Sequence, residues 1–196
     1  EGKFGKGLVF DGVNDYVNVT SFPNKIFNGS YSVGVWVKSG DTGGIKRILE
    51  HTAGGSTGMI FDLAMNFPNT GQVQFMAAAS ANAGQGLNSS SSNINNNQWR
   101  HITVSRDNSS GMMKMYIDGI LDASRNEVEG PGQNSNGLYI GSNLAGNQNF
   151  NGTIDELSIW NVSLNADTIR SHYERGALKL NISTRASNDS STWSSW

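Results

Sequence analysis

The chain has 196 residues, 15% of them charged, and a net charge of −2. That length fits one β-sandwich with a short extra piece. With no basic stretch, no apolar run near the ~20 residues of a membrane span and no cysteine, the composition argues against a nucleic-acid partner and direct membrane insertion, and rules out a disulfide framework or thiolate metal site.

The opening residues Glu1-Gly2-Lys3 lack the apolar core of a secretory signal, so the chain is expected to be a module of a longer polypeptide. Asn, Gly and Ser are abundant. Asn-x-Ser/Thr sequons occur at Asn18, Asn28, Asn88, Asn108, Asn151, Asn161, Asn181 and Asn188. They read either as chance products of that composition or as acceptors in a secreted or surface glycoprotein. Low charge with this composition suits a chain outside the cytoplasm.

In chain order, the first signal is Gly7-Leu8-Val9-Phe10-Asp11-Gly12-Val13-Asn14-Asp15-Tyr16-Val17. It is a strand pattern followed by a turn carrying three oxygen-bearing side chains. A hard dication such as calcium wants several oxygens with negative charge, which Asp11, Asn14 and Asp15 offer. The same residues also suit a plain hairpin turn, since Asn and Asp favour turn conformations. Tyr31-Ser32-Val33-Gly34-Val35-Trp36-Val37-Lys38 alternates next, with Tyr31, Val33, Val35 and Val37 on one face. Residues 59–67 alternate again, then Gln72-Val73-Gln74-Phe75 and Ile102-Thr103-Val104. Period two marks strands with one buried and one more polar face.

Between these runs, 83–97 is Gly/Ser/Asn-rich and reads as a long exposed loop. Asp118-Gly119 between two strand patterns reads as a type I′ hairpin turn, which needs positive φ at both positions. The stretch 126–136, with Gly130-Pro131-Gly132, reads as another loop. Phe150-Asn151-Gly152-Thr153-Ile154-Asp155-Glu156-Leu157-Ser158-Ile159-Trp160-Asn161 is a late strand carrying two carboxylates. One helix follows near 164–175: Ser163 or Asn165 caps it, Ile169 and Tyr173 anchor it, and Gly176 stops it. After that the chain turns polar again, and 179–196, with Trp193 and Trp196, reads as the start of a following β module or as a C-terminal extension.

The first and late strand motifs, together with Trp99-Arg100-His101-Ile102-Thr103-Val104 and Met115-Tyr116-Ile117-Asp118-Gly119 between them, resemble the laminin-G-like jelly-roll family of concanavalin-like β-sandwiches. The resemblance runs from about residue 4 to 178. It implies an all-β fold of two antiparallel sheets, a domain at 1–178, and a non-catalytic recognition or adhesion module, extracellular or on the cell surface. It also implies a glycan or surface-protein partner, with the isolated domain monomeric. In that family the first and last long strands are neighbours and calcium is common. The resemblance therefore implies that Asp11 and Asp155 converge as calcium ligands, with Asn14 and Asp15 as further candidates.

Relatives of this fold include glucanases, so catalysis needs its own reading. A retaining glycosidase requires two carboxylates about 5 Å apart on one face. On a regular strand Asp155 shares its face with the apolar Leu157 and Ile159, and Glu156 points the other way. Glu127 and Glu129 are spaced i, i+2 but fall in a loop pattern. This argues against a hydrolase. His51, His101 and His172 are not spaced as metal ligands; the resemblance implies that Trp36, Trp99 and Trp160 are core. Asn66, Asn69, Asn143, Asn147 and Gln148 remain as polar loop candidates for sugar contact, with no one of them singled out.

Overall fold

The computed structural model describes residues 1–23, 26–52, 59–77, 86–126 and 137–175. The Glu127/Glu129 pair, the Gly130-Pro131-Gly132 turn and the segment 179–196 lie outside the described residues. In chain order the strands are β1 (Leu8–Asp11), β2 (Val17–Val19), β3 (Tyr31–Lys38), β4 (Lys46–Thr52), β5 (Met59–Met65), β6 (Val73–Met76), β7 (Leu87–Asn88), β8 (Arg100–Arg106), β9 (Met112–Ile117), β10 (Ile120–Asn126), β11 (Leu138–Ile140) and β12 (Asn151–Trp160). They form two antiparallel sheets of six. Sheet 1 runs β1-β12-β3-β8-β9-β10 and sheet 2 runs β2-β11-β4-β5-β6-β7. A single helix, α1 (Ala166–Tyr173), follows β12.

Period-two alternation decides which residues meet between the sheets. Tyr31, Val33, Val35 and Val37 of β3 face Leu49 of β4, Phe61 and Leu63 of β5, and Phe75 of β6 across one buried cluster. Phe27, from a short 3-10 turn (Ile26–Asn28), enters this cluster from the end. Its ring stacks on Phe61 at 4.7 Å and meets Tyr31 edge-on at 4.9 Å. Offset and edge-to-face pairs of this kind add to the burial itself.

The Asp118-Gly119 turn forms as the sequence requires, with φ of 52° and 77°, and sets Ile120 opposite Ile117. Another glycine is fixed by close approach. Gly141 has φ of 80°, and a Cβ there would lie 2.3 Å from the ring of Phe10. The loop pattern at 83–97 departs from expectation, because part of it is structural: β7 adds an edge strand to β6, and buried Ile94 donates its N–H to Gly71 O.

The helix begins at Asn165, whose side chain accepts from the Thr168 N–H, so of the two caps it is Asn165 that acts. Buried Ile169 and half-buried Tyr173 carry it onto the outer face of sheet 1, as their spacing predicted. Among the described residues no helix is long and apolar enough to cross a membrane. Because Phe27 fills the centre of an aromatic cluster, Phe27→Ala is expected to cost roughly 3–5 kcal/mol. A denaturant melt measures this, and a midpoint unchanged from wild type would show that the cluster does not carry the core.

Candidate functional site

The first and last long strands are neighbours, as the resemblance implied, but their register keeps the acidic residues apart. Asp11 pairs with Asn151, while Leu8 pairs with Ile154. Asp155 therefore lies beyond the other end of β1, about 13 Å from Asp11 at ~3.3 Å per residue. Each acid is already engaged locally. Asp11 Oδ1 accepts from Val13 N (2.7 Å) and Asn14 N (3.4 Å), and Asp15 Oδ2 accepts from Asp11 N (2.9 Å). Asp155 accepts from Phe4 N through Oδ2 and from Glu156 N through Oδ1, both at 2.9 Å. Asp11 and Asp155 are thus too far apart to hold one ion between them, while Asp11, Asn14 and Asp15 stay together in one turn. Their observed work is to shape a turn and to hold the N-terminal segment on the sheet.

The face assignment of β12 is also corrected. A bulge falls between Asp155 and Ser158, and Glu156 sits at φ of 50°. Two residues on one strand then span what one spans on its partner. Asp155, Ser158 and Trp160 oppose Trp36, Gly34 and Ser32 and face outward, while Leu157 and Ile159 pack against the core. Asp155 does not share a face with Ile159.

This outer face of sheet 1 is closed by packing. Trp36 stacks on Tyr173 (5.6 Å), meets Phe4 edge-on (6.0 Å) and His101 (5.0 Å), and lies under Lys3 Nζ (4.4 Å). Trp160 packs on His172 at 4.9 Å, and Arg175 pairs with Glu156. Burial holds His101 down to about 4, against the pull of Asp118 upward. His101 is a packing residue here, set between Trp36 and Tyr173. Trp36 is buried too, but between sheet and helix rather than between the sheets.

Sheet 2 is built differently. Register places Asn18 of β2, Tyr139 of β11, Glu50 of β4, Asp62 of β5 and Met76 of β6 in one outward row across five strands. Facing residues on adjacent strands have Cβ atoms ~5 Å apart. Glu50 and Asp62 are thus a cross-strand carboxylate pair. Arg47, from the adjoining row, pairs with Asp62 through Nη1 and lies 3.3 Å from Glu50 through Nε. All three are buried, and Asp62 Oδ1 has no hydrogen-bond partner among the described residues. Complete burial pushes the Asp62 carboxyl up to about 7; Arg47 pulls it down, and Glu50 adds a smaller upward push.

At the other end the row opens into a cavity of about 180 Å³ lined by Tyr16, Asn18, Tyr139, Asn143, Leu144, Ala145 and Gly146. The rings of Tyr16 and Tyr139 lie 6.2 Å apart and tilted at 41°, and Asn18 Nδ2 donates to the Tyr139 hydroxyl (3.4 Å). The acidic turn of 11–15 delivers Tyr16 to this cavity. The 141–149 loop forms the opposite wall. Within it Asn143 Oδ1 accepts from Asn147 N and Gln148 N, and Asn143 Nδ2 donates to Asn147 Oδ1. Asn149 Nδ2 ties the loop to Val13 O.

Of the polar loop candidates, only Asn143 lines this cavity. Asn66 is buried, and its side chain accepts from Gly71 N and donates to Asp41 O. Asn69 donates to Gln72 Oε1. Both hold the turn before β6. Tyr16, Asn18, Tyr139 and the Glu50/Asp62 pair went unseen in the sequence. Reading along one strand cannot reveal partners on another, although single outward polar residues in Arg47–Thr52 and Met59–Met65 were a signal.

A laminin-G family model described as concanavalin A-like lectin/glucanases superfamily matches residues 11–170. Among curated proteins, none matches the chain in sequence. Solved structures share the fold at low identity. The carbohydrate-binding module CBM40 of the Ruminococcus gnavus IT-sialidase superposes with a TM-score of 0.70 at 13% identity, covering 86% of this chain and 97% of that one. A heptameric SAP-like pentraxin from Limulus polyphemus gives 0.65 at 15%, covering 84% and 80%. The binding domain of botulinum neurotoxin DC, solved with SialylT, gives 0.62 at 18%, covering 82% and 39%.

Two stability measurements check the geometry. Asp11→Ala and Asp155→Ala are expected to add within about 0.5 kcal/mol in a double-mutant cycle, since sites this far apart without shared partners act independently. A larger coupling that appears only with calcium would restore a shared ion. The second measurement is pH dependence. Asp62 is raised above its ordinary 3.8, so between about 4 and 7 the folded state holds a proton that the unfolded state lacks, and stability falls as pH rises through that window. His101 is lowered from 6.5 to about 4, so its contribution rises with pH across its own window. Asp62→Asn removes the first slope, and its stability is expected to climb from pH 4 to 6.5 more steeply than wild type. Parallel profiles would show that Asp62 titrates normally.

Proposed function

The chain belongs to the concanavalin A-like lectin/glucanases superfamily, and we propose that it is a non-catalytic glycan-binding module that takes sugar at the Tyr16/Tyr139 cavity. The observation carrying this reading is the pair of tyrosine rings at an open cavity beside the side-chain amides of Asn18 and Asn143. Sugar rings stack their C–H faces on aromatic side chains, and their hydroxyls need donors and acceptors close by. The other broad face, on sheet 1, is filled by Trp36, Tyr173 and His101. Similarity to a CBM40 solved with α2,3-sialyllactose supports sialylated glycans as the first class to test.

A setting outside the cell belongs to the same proposal, as does a role within a larger surface protein. Among the described residues the cavity lining carries amides, hydroxyls and apolar groups rather than carboxylates, so in this reading sugar binds through the tyrosine rings and amides directly. The reading is also non-catalytic. Glu50 and Asp62 face each other as a glycosidase pair would, but Arg47 is tied to both and both are buried. A retaining enzyme needs one carboxylate free to attack the anomeric carbon. A protein-binding or architectural module is the second reading, favoured by Leu8 and Val9, exposed on the edge strand β1.

Titration with 3′-sialyllactose and a glycan array tests the proposal. Binding is expected to be lost in Tyr139→Ala, to weaken roughly tenfold or more in Tyr16→Ala, and to persist in EDTA. No reducing sugar should be released from any glycan bound. Silence across the array would favour the protein-binding reading, and sustained turnover abolished by Glu50→Gln would overturn the non-catalytic one.

A further inference from the structure

We propose that Glu50 is the positioning residue of the Tyr16/Tyr139 cavity, and that Arg47, by sharing its charge between Glu50 and Asp62, makes the hold of the cavity's loop wall depend on proton uptake at Asp62. The inference rests on the reading of the cavity given above and adds how its wall is held and regulated.

Four of the seven lining residues come from the 141–149 loop. That loop is fastened to β4 at three points: Gly141 N donates to Ile48 O (2.9 Å), Arg47 N donates to Gln148 O (2.9 Å), and Leu144 N donates to Glu50 Oε1 (2.9 Å). Only the third reaches the tip of the loop, and only the third runs through a side chain. The Leu144 N–H is thus held by a carboxylate whose other oxygen lies 3.3 Å from Arg47 Nε. A carboxylate acceptor makes a stronger hydrogen bond than a neutral one, so the loop tip depends on Glu50 staying charged and in place.

Arg47 has a second claim on it. Its Nη1 pairs with Asp62, which opposes Glu50 across the strands. From β6 the row continues with uncharged Met76, and Gln74 lies in the next row; among the described residues the charged groups acting on Asp62 are Arg47 and Glu50, both on β4. With both acids ionised, this buried cluster holds two negative charges and one positive. Burying unbalanced charge is costly, and the cost is relieved if one group reaches water or takes a proton. Glu50 is the acid nearer the open end of the row, so its departure relieves the imbalance and releases the Leu144 N–H. Proton uptake at Asp62 relieves it without moving Glu50. The unpartnered Asp62 Oδ1 leaves room for that proton, and burial already holds this carboxyl near neutrality. The loop wall is then held firmly at mildly acidic pH and loosens as pH rises past neutral.

Amide hydrogen exchange at Leu144 tests this without any sugar. Protection of that amide is expected to fall roughly tenfold or more in Glu50→Ala, and less in the isosteric Glu50→Gln, which keeps an acceptor. In wild type it should fall between pH 6 and 8 after correction for intrinsic exchange. In Asp62→Asn, which imitates the protonated acid, it should stay high throughout. Circular dichroism checks that each variant folds. Titration of 3′-sialyllactose should follow the same pattern, with affinity rising from pH 8 to 6 in wild type and flat in Asp62→Asn. Leu144 protection that ignores Glu50→Ala, or identical pH profiles in wild type and Asp62→Asn, would overturn the inference. If the exchange results appear as described and sialyllactose fails to bind at any pH, the positioning role stands and the glycan reading falls.

Discussion

The structure depends on the pairing of β12 with strands from the other end of the chain. β12 sits between β1 and β3 in sheet 1, so one late strand joins residues 8–11 to residues 31–38. Neither pairing can form until the chain between them has been looped back, and that entropy must be met by burial. Burial comes from the shared core, where β3 contributes four apolar side chains and β12 contributes Ile154. With no cysteine in the chain, no disulfide shares in this closure.

The position of β12 also explains why the two outer faces differ. After β12 the chain turns into α1, which lands on sheet 1, and the N-terminal segment reaches the same face through Phe4 and Asp155. Trp36, an outward residue on an inner strand of its sheet, is covered by both. Among the described residues no helix or terminal segment covers the β2–β11 edge of sheet 2, where Tyr16 and Asn18 are exposed and Tyr139 is half-buried. Adjacent elements then supply the walls: the turn after β1 on one side and the 141–149 loop on the other.

Within sheet 2 the Arg47–Glu50–Asp62 cluster is a costly feature for a sandwich to keep. Replacing buried ion pairs with apolar side chains is often neutral or stabilising, so stability alone gives no reason for it. Its connection to Leu144 supplies one, because the cluster ends at the wall of the cavity. Scaffolds of this kind carry function on loops and outer faces rather than in the core, and the CBM40, pentraxin and neurotoxin domains share this fold at low identity.

The sequence by itself determined the all-β architecture, most strand positions, the Asp118-Gly119 hairpin and the helix with its Ile169 and Tyr173 anchors, because these follow from local rules: alternation, turn chemistry and capping. It also marked Asp11, Asp15 and Asp155 as residues an ordinary strand would not need. Tertiary structure alone decided what they do, since the β1–β12 register, and not the spacing in sequence, sets the ~13 Å between them. A bulge at Glu156 put Asp155 on the face opposite Leu157 and Ile159, and bulges leave no periodic trace in a short strand. The row from Asn18 through Tyr139 and Glu50 to Asp62 joins residues up to 121 positions apart. Such a row exists only once five strands have been laid side by side, because cross-strand neighbours are chosen by register and by the packing of the whole sandwich.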